Sequence, residues 1–157
     1  MSKQDKGKYF ERKIAKEIAK IFGLEYNKDI IRTPNSGGLK YAKGDIQFLT
    51  EQTELPYHFE CKFGYEISLV DIQKDNSKIK NFIKQTLNDC SKHKIPLLII
   101  SKPYFNIYVI VIRKYVNFNK IDKLLKLSFV MLTMKYLVFD FKDFKQIHDW
   151  GILKWQE

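Results

Sequence analysis

Asp45, Glu60 and Lys62 are the side chains whose types and spacing could do chemistry together. Gly44-Asp45-Ile46-Gln47-Phe48-Leu49 and, after a polar turn, His58-Phe59-Glu60-Cys61-Lys62-Phe63 each have the composition of a short strand. Along the second, His58, Glu60 and Lys62 alternate with Phe59, Cys61 and Phe63. One face then offers an anchor for a core, and the other sets a carboxylate beside an amine. If the two strands pair, Asp45 comes near Glu60. Two carboxylates and a lysine at strand ends make a seat for a divalent cation next to a phosphate. The Glu-x-Lys spacing alone means little, because acid-x-Lys recurs at Glu11/Lys13, Asp140/Lys142 and Asp143/Lys145. What distinguishes Glu60 and Lys62 is their context. They lie on an alternating strand, with Gly-Asp opening the strand before it and a helical Glu11 upstream.

The bulk of the chain agrees with a partner that carries negative charge. Its 157 residues suit one domain, 1–157, with a core that needs no disulfides. A formal net charge of +10 favours a polyanion, nucleic acid ahead of an anionic membrane surface; a basic surface serving only solubility is the plainer alternative. Cys61 and Cys90 lack CxxC spacing and the three histidines are scattered, so neither a zinc site nor a disulfide framework is indicated. Cys61 should be a small buried hydrophobe. The sequence contains no signal-peptide pattern and no apolar run of membrane-spanning length, so the expectation is a soluble protein of the cytoplasm with no membrane partner.

The elements that must position these residues are read from periodicity. Met1 to Lys6 is polar and expected to fray. From about Lys8 to Phe22, Phe10, Ile14, Ile18 and Phe22 recur at helical spacing, and Gly23 is a stop. Glu11 lies at the edge of that stripe, either as a solvated boundary residue or as a carboxylate aimed into a cleft. Asp29 to Arg32 has the composition of a strand, ended by Thr33-Pro34, and Ser36 to Gly44 of a loop. Ser68 and Asp71 suggest a capping box for a helical region to about His93, interrupted near Asp75-Asn76. Leu97 to Ile100 and Ile107 to Ile112 are apolar strands. Asn119 is expected to cap a helix carrying Ile121, Leu124 and Leu125, extending toward Phe129 and Leu132. Tyr136 to Phe141 is a last strand, and Phe144, Ile147 and Trp150 mark a short final helix. The order predicts a mixed α/β domain.

In its motifs the chain resembles the PD-(D/E)xK nuclease superfamily, and within it the archaeal-type and phage Holliday-junction resolvases. The likeness rests on Lys6-Gly7-Lys8-Tyr9-Phe10-Glu11-Arg12, Ile31-Arg32-Thr33-Pro34-Asn35-Ser36-Gly37-Gly38, Gly44-Asp45-Ile46 and Phe59-Glu60-Cys61-Lys62, with Gln85 in the following helix. It covers roughly Gly7 to Ser101. The resemblance implies a restriction-endonuclease-like domain with a central mixed β-sheet flanked by helices. It also implies a homodimer that cuts branched double-stranded DNA with Mg²⁺, Mn²⁺ being able to substitute. Cutting linear duplex, or a non-catalytic basic nucleic-acid-binding module, are the alternatives.

On this reading Asp45 and Glu60 are metal ligands, with Glu11 a further one and the backbone carbonyl of Cys61 completing the shell as the resemblance implies. Lys62 stands beside the attacking water and the scissile phosphate. Arg32 suits a phosphate clamp, because a guanidinium binds phosphate in bidentate fashion. Ser36 is a hydrogen-bonding residue at the phosphate or a plain turn serine. Gln85 is an active-site hydrogen bonder or a solvated helix position. Lys8, Arg12, Lys40 and Lys43 are candidates for contacts to the DNA backbone.

Overall fold

The computed structural model describes residues 1–34 and 44–156. Helix α1 (Lys3–Phe22) opens on a reciprocal cap, in which the Asp5 amide donates to Ser2 Oγ at 3.1 Å and the Ser2 amide to Asp5 Oδ2 at 3.3 Å. The helix therefore begins ahead of the first apolar repeat, within the stretch whose composition suggests fraying. Phe10, Ile14, Ala15, Ile18 and Ala19 form its buried stripe, and Gly23 ends it in the left-handed conformation.

Two short strands follow, β1 (Ile30–Arg32) and β2 (Ile46–Phe48), paired antiparallel with Ile31 opposite Gln47. This corrects the expected pairing of the Asp45 and Glu60 strands. The whole of β2 is taken by β1, and β3 (Tyr57–Phe63) meets that segment through one backbone bond, from the Asp45 amide to Phe59 O at 3.0 Å.

Helices α2 (Leu69–Lys74) and α3 (Ser77–Asp89) form the crossover to β4 (Ile95–Ser101), which runs parallel to β3. The break between the helices falls at Asp75-Asn76, and Ser68 and Asp71 make the expected capping box. Strands β5 (Tyr108–Ile112), β6 (Val130–Leu132) and β7 (Tyr136–Asp140) complete a mixed sheet of order β3-β4-β5-β7-β6. Helix α4 (Phe144–Asp149) packs back on it.

Alternation along these strands divides the core. Phe59, Cys61, Leu97, Ile99, Val109 and Phe139 face α1 and α4, while Leu98, Ile100, Ile110 and Val138 face α2 and α3. Both faces are covered, which is why every residue of β4 is buried. The result is the expected mixed α/β domain.

The segment after Asn117 departs from the sequence reading. Phe118–Lys126 is 3₁₀ rather than α-helical, Asn117 caps it in place of Asn119, and Val130–Leu132 is a strand. Helical spacing there is overridden by tertiary partners: Val130 and Leu132 pair with Phe139 and Leu137, and the Phe129 ring packs 5.1 Å from that of Tyr108.

Asp75, left-handed at φ 52°, ties the α2–α3 break to β7 by accepting from Tyr136 Oη and, at 2.6 Å, from Lys135 Nζ. Burial pushes its carboxyl up, but the bonds from Lys135 and Tyr136 outweigh it and hold the group below the usual carboxylate range. Its contribution is therefore full above about pH 4 and lost as pH falls through the lowered value. Asp75→Asn, which tolerates the same backbone, should lose roughly 1–2 kcal/mol at neutral pH. Near about pH 2 it should match the parent in thermal unfolding.

Candidate active site

The candidate residues meet at the outer edge of β3, the edge away from β4. Gly44 brings the chain in with φ +79°, and a Cβ there would lie 2.9 Å from His58 Cε1 and 3.1 Å from Phe59 O. Only glycine allows both the turn and the approach. Asp45 then docks on β3 twice: its amide donates to Phe59 O, and its Oδ2 accepts from the Cys61 amide at 2.7 Å. The Thr33 amide donates to Asp45 O at 2.9 Å, tying the end of β1 to the same point.

Glu60 projects from β3 toward α3. Its Oε1 accepts from Lys62 Nζ and from Gln85 Nε2, each at 3.0 Å, and Lys62 Nζ also donates to Gln85 Oε1 at 3.0 Å. The Lys62 ammonium lies 5.2 Å from the Phe82 ring centroid. Glu11 approaches from α1, accepting from Arg32 Nε at 2.7 Å with both side chains largely covered. Asp45 is 7% exposed and Glu60 3%.

These groups share one electrostatic field. Burial, then the Asp45 charge, pushes the Glu60 carboxyl up to about 7 against the pull of Lys62. Burial and Asp45 likewise raise Glu11, with Arg32 opposing. Burial pushes the Cys61 thiol well up, and Asp45, Glu11 and Glu60 all add to it. For Lys62, burial pulls downward but Glu60 and Asp45 outweigh it, so the side chain is held as an ammonium.

In kind, the donor set suits a hard divalent cation: buried carboxylate oxygens that repel one another and lack enough protein cations to neutralise them. In the structure Glu11 is turned to Arg32, Asp45 to the Cys61 amide, and Glu60 to Lys62 and Gln85. Among the described residues, no group of three or more His, Cys, Asp and Glu is gathered closely enough to hold an ion.

The structure thus brings Glu11, Arg32, Asp45, Glu60, Lys62 and Gln85 together. Lys8 and Arg12 are exposed on α1. Ser36, Lys40 and Lys43 lie outside the described residues. Two contributors escaped sequence reasoning. His58 is buried against Gly44 and buttresses the turn into Asp45. Phe82 lies under the Lys62 ammonium; its position one helical turn before Gln85 is the signal that could have found it.

An edge-docked Asp45 beside a Glu-x-Lys strand, with a helical glutamate behind it, fits the PD-(D/E)xK nuclease superfamily, to which a family model assigns the chain. The family model described as "Phage putative PDDEXK endonuclease" matches residues 2–156, and the chain belongs to that family. No curated protein and no solved structure matches the chain. Among the described residues no helix is long and apolar enough to cross a membrane.

Gly44→Ala should cost about 1–3 kcal/mol and lower nuclease activity at least as strongly, because it moves Asp45 off the β3 edge. Chemical denaturation and a cleavage assay check both. For Glu60 the sign is opposite to that of Asp75. Its raised value means that ionising it costs metal-free protein stability as pH climbs from about 4.3 through about 7. In EDTA, Glu60→Gln should match the parent near about pH 4 and exceed it by roughly 1–3 kcal/mol at about pH 8, measured by thermal unfolding.

Proposed function

We propose that this nuclease is a Mg²⁺-dependent, structure-selective endonuclease that resolves four-way DNA junctions as a homodimer in the cytoplasm of a phage-infected cell. The observation that carries the reading is the convergence of Asp45, Glu60 and Lys62 on the β3 edge in a chain of net charge +10. The junction assignment draws on the motif order Glu11, Arg32, Asp45, Glu60-x-Lys62, which resembles that of the resolvases. Dimerisation is drawn from the resemblance to the resolvases, because two symmetric strands must be cut.

Asp45 and Glu60, with Glu11 and the Cys61 carbonyl, are the groups that would hold Mg²⁺ or Mn²⁺. When bound, the ion supplies charge neutralisation at the phosphate and lowers the pKa of water. The protein's own groups do the rest. Lys62 sets an ammonium beside the phosphate, orienting the attacking water and offsetting charge that develops in the transition state. Gln85 holds Glu60 and Lys62 in fixed relation, so that neither swings out when substrate enters. Arg32 exchanges Glu11 for a phosphate oxygen, which frees Glu11 toward the cation. Lys8 and Arg12, and Ser36, Lys40 and Lys43 from the adjoining segment, bind the DNA backbone and fix its register.

Matched four-way junctions and linear duplexes, incubated with Mg²⁺, test the proposal. Paired, symmetric nicks near the crossover are expected. Equal cutting of both substrates would remove the junction assignment and leave a general nuclease. Asp45→Asn should reduce cutting by about 10³-fold or more. Junction binding, read by gel shift, should persist or tighten, because negative charge near the phosphates is gone.

A further inference from the structure

Tyr104, in the turn from β4 to β5, is fully exposed at 109% and has a left-handed backbone, φ 59°. That backbone costs an aromatic residue roughly 1–2 kcal/mol, and glycine or asparagine would hold it with less strain. No burial of the ring repays the cost. The turn beneath it is braced. Buried Ser101 donates from Oγ to Phe105 O and Asn106 O at 3.4 and 3.3 Å, and the Phe105 ring packs edge-on 5.2 Å from Tyr108.

Tyr104 rims a cleft of about 720 Å³ whose walls include Tyr9, Phe63, Phe105, Lys13 and Lys102. This volume is in the range of small-molecule pockets, about 300–1,000 Å³. The cleft adjoins the active site. The Gly64 amide donates to Ser101 O at 2.9 Å, and Lys62, Lys102 and Phe105 line one small cavity between them. Glu17 and Asp140 also line the cleft, Asp140 with its amine partner Lys142 at 3.9 Å. Aromatic walls with both donors and acceptors suit a nucleobase, with its flat faces and polar edge. Lys13, Lys102 and Lys142 outnumber those two carboxylates in the lining, so the phosphates flanking such a base meet positive charge.

We infer that this cleft takes a nucleobase unpaired at the branch point, stacked on Tyr104, which makes Tyr104 a specificity-determining residue for branched DNA. The inference rests on the branched-DNA reading above and deepens it. Stacking on an aromatic side chain is indifferent to base identity, so it selects for an unpaired position rather than a sequence.

The test uses the full chain in EDTA, which prevents cutting, with forked DNA carrying 2-aminopurine at its first unpaired position. The control is a duplex with the same base paired. Binding should quench the fork's fluorescence and leave the paired control largely unchanged. Tyr104→Ala should abolish the quench and weaken fork binding about ten-fold, while Tyr104→Trp retains both. Unchanged quenching and affinity in Tyr104→Ala, or equal quenching of the paired control, would overturn the inference. Equal Mg²⁺-dependent cutting of branched and linear DNA alongside a Tyr104-dependent quench would remove the junction assignment and leave the stacking subsite standing.

Discussion

The bond from the Cys61 amide to the Asp45 carboxylate is the constraint on which the site depends. An outer strand of a sheet exposes backbone donors that ordinarily invite another strand. Here the outer edge of β3 gives one of its donors to a carboxylate, and the β1–β2 ribbon is held against it at that point. A hydrogen bond to an ionised acceptor contributes about 1.5–3 kcal/mol, enough to fix Asp45 but not to make a cluster of buried acids stable. Burial raises Glu60 and Glu11, and the position of Asp45 adds to that rise.

The remainder of the fold carries that cost. Two apolar layers, one on each face of a sheet whose β4 is wholly buried, supply stability that does not depend on the acids. The site uses both layers for position. Glu11 comes from the α1 side and Gln85 from the α3 side, and the edge of β3 is where the two faces come within reach of one another. Arg32, Lys62 and Gln85 offset the carboxylates only in part, which leaves the site with uncompensated negative charge.

Much of this was legible because the relevant signals are local. The stripe of α1, the stop at Gly23, the capping box at Ser68 and Asp71 and the break at Asp75-Asn76 depend on neighbours a few residues away. The strand from His58 to Phe63 alternates because its two faces meet different layers. The segment after Asn117 was not legible. Its spacing suits a helix, and only pairing with β7 makes Val130–Leu132 a strand. Gln85 was ambiguous for the same reason, since nothing near it in the chain states that Glu60 and Lys62 lie across from α3.

By itself the sequence determined which side chains could do the chemistry, the alternation that puts Glu60 and Lys62 on one face of β3, and the basic charge that suits DNA. Only the tertiary structure decided that Asp45 reaches β3 through its carboxylate and one backbone bond rather than through a paired strand. It also decided that Glu11 rests on Arg32, and that Tyr104 stands exposed in the turn from β4 to β5. The physical reason is range. Periodicity and capping act over one or two turns of chain, whereas a buried charge takes its partners from wherever packing brings donors within about 3 Å.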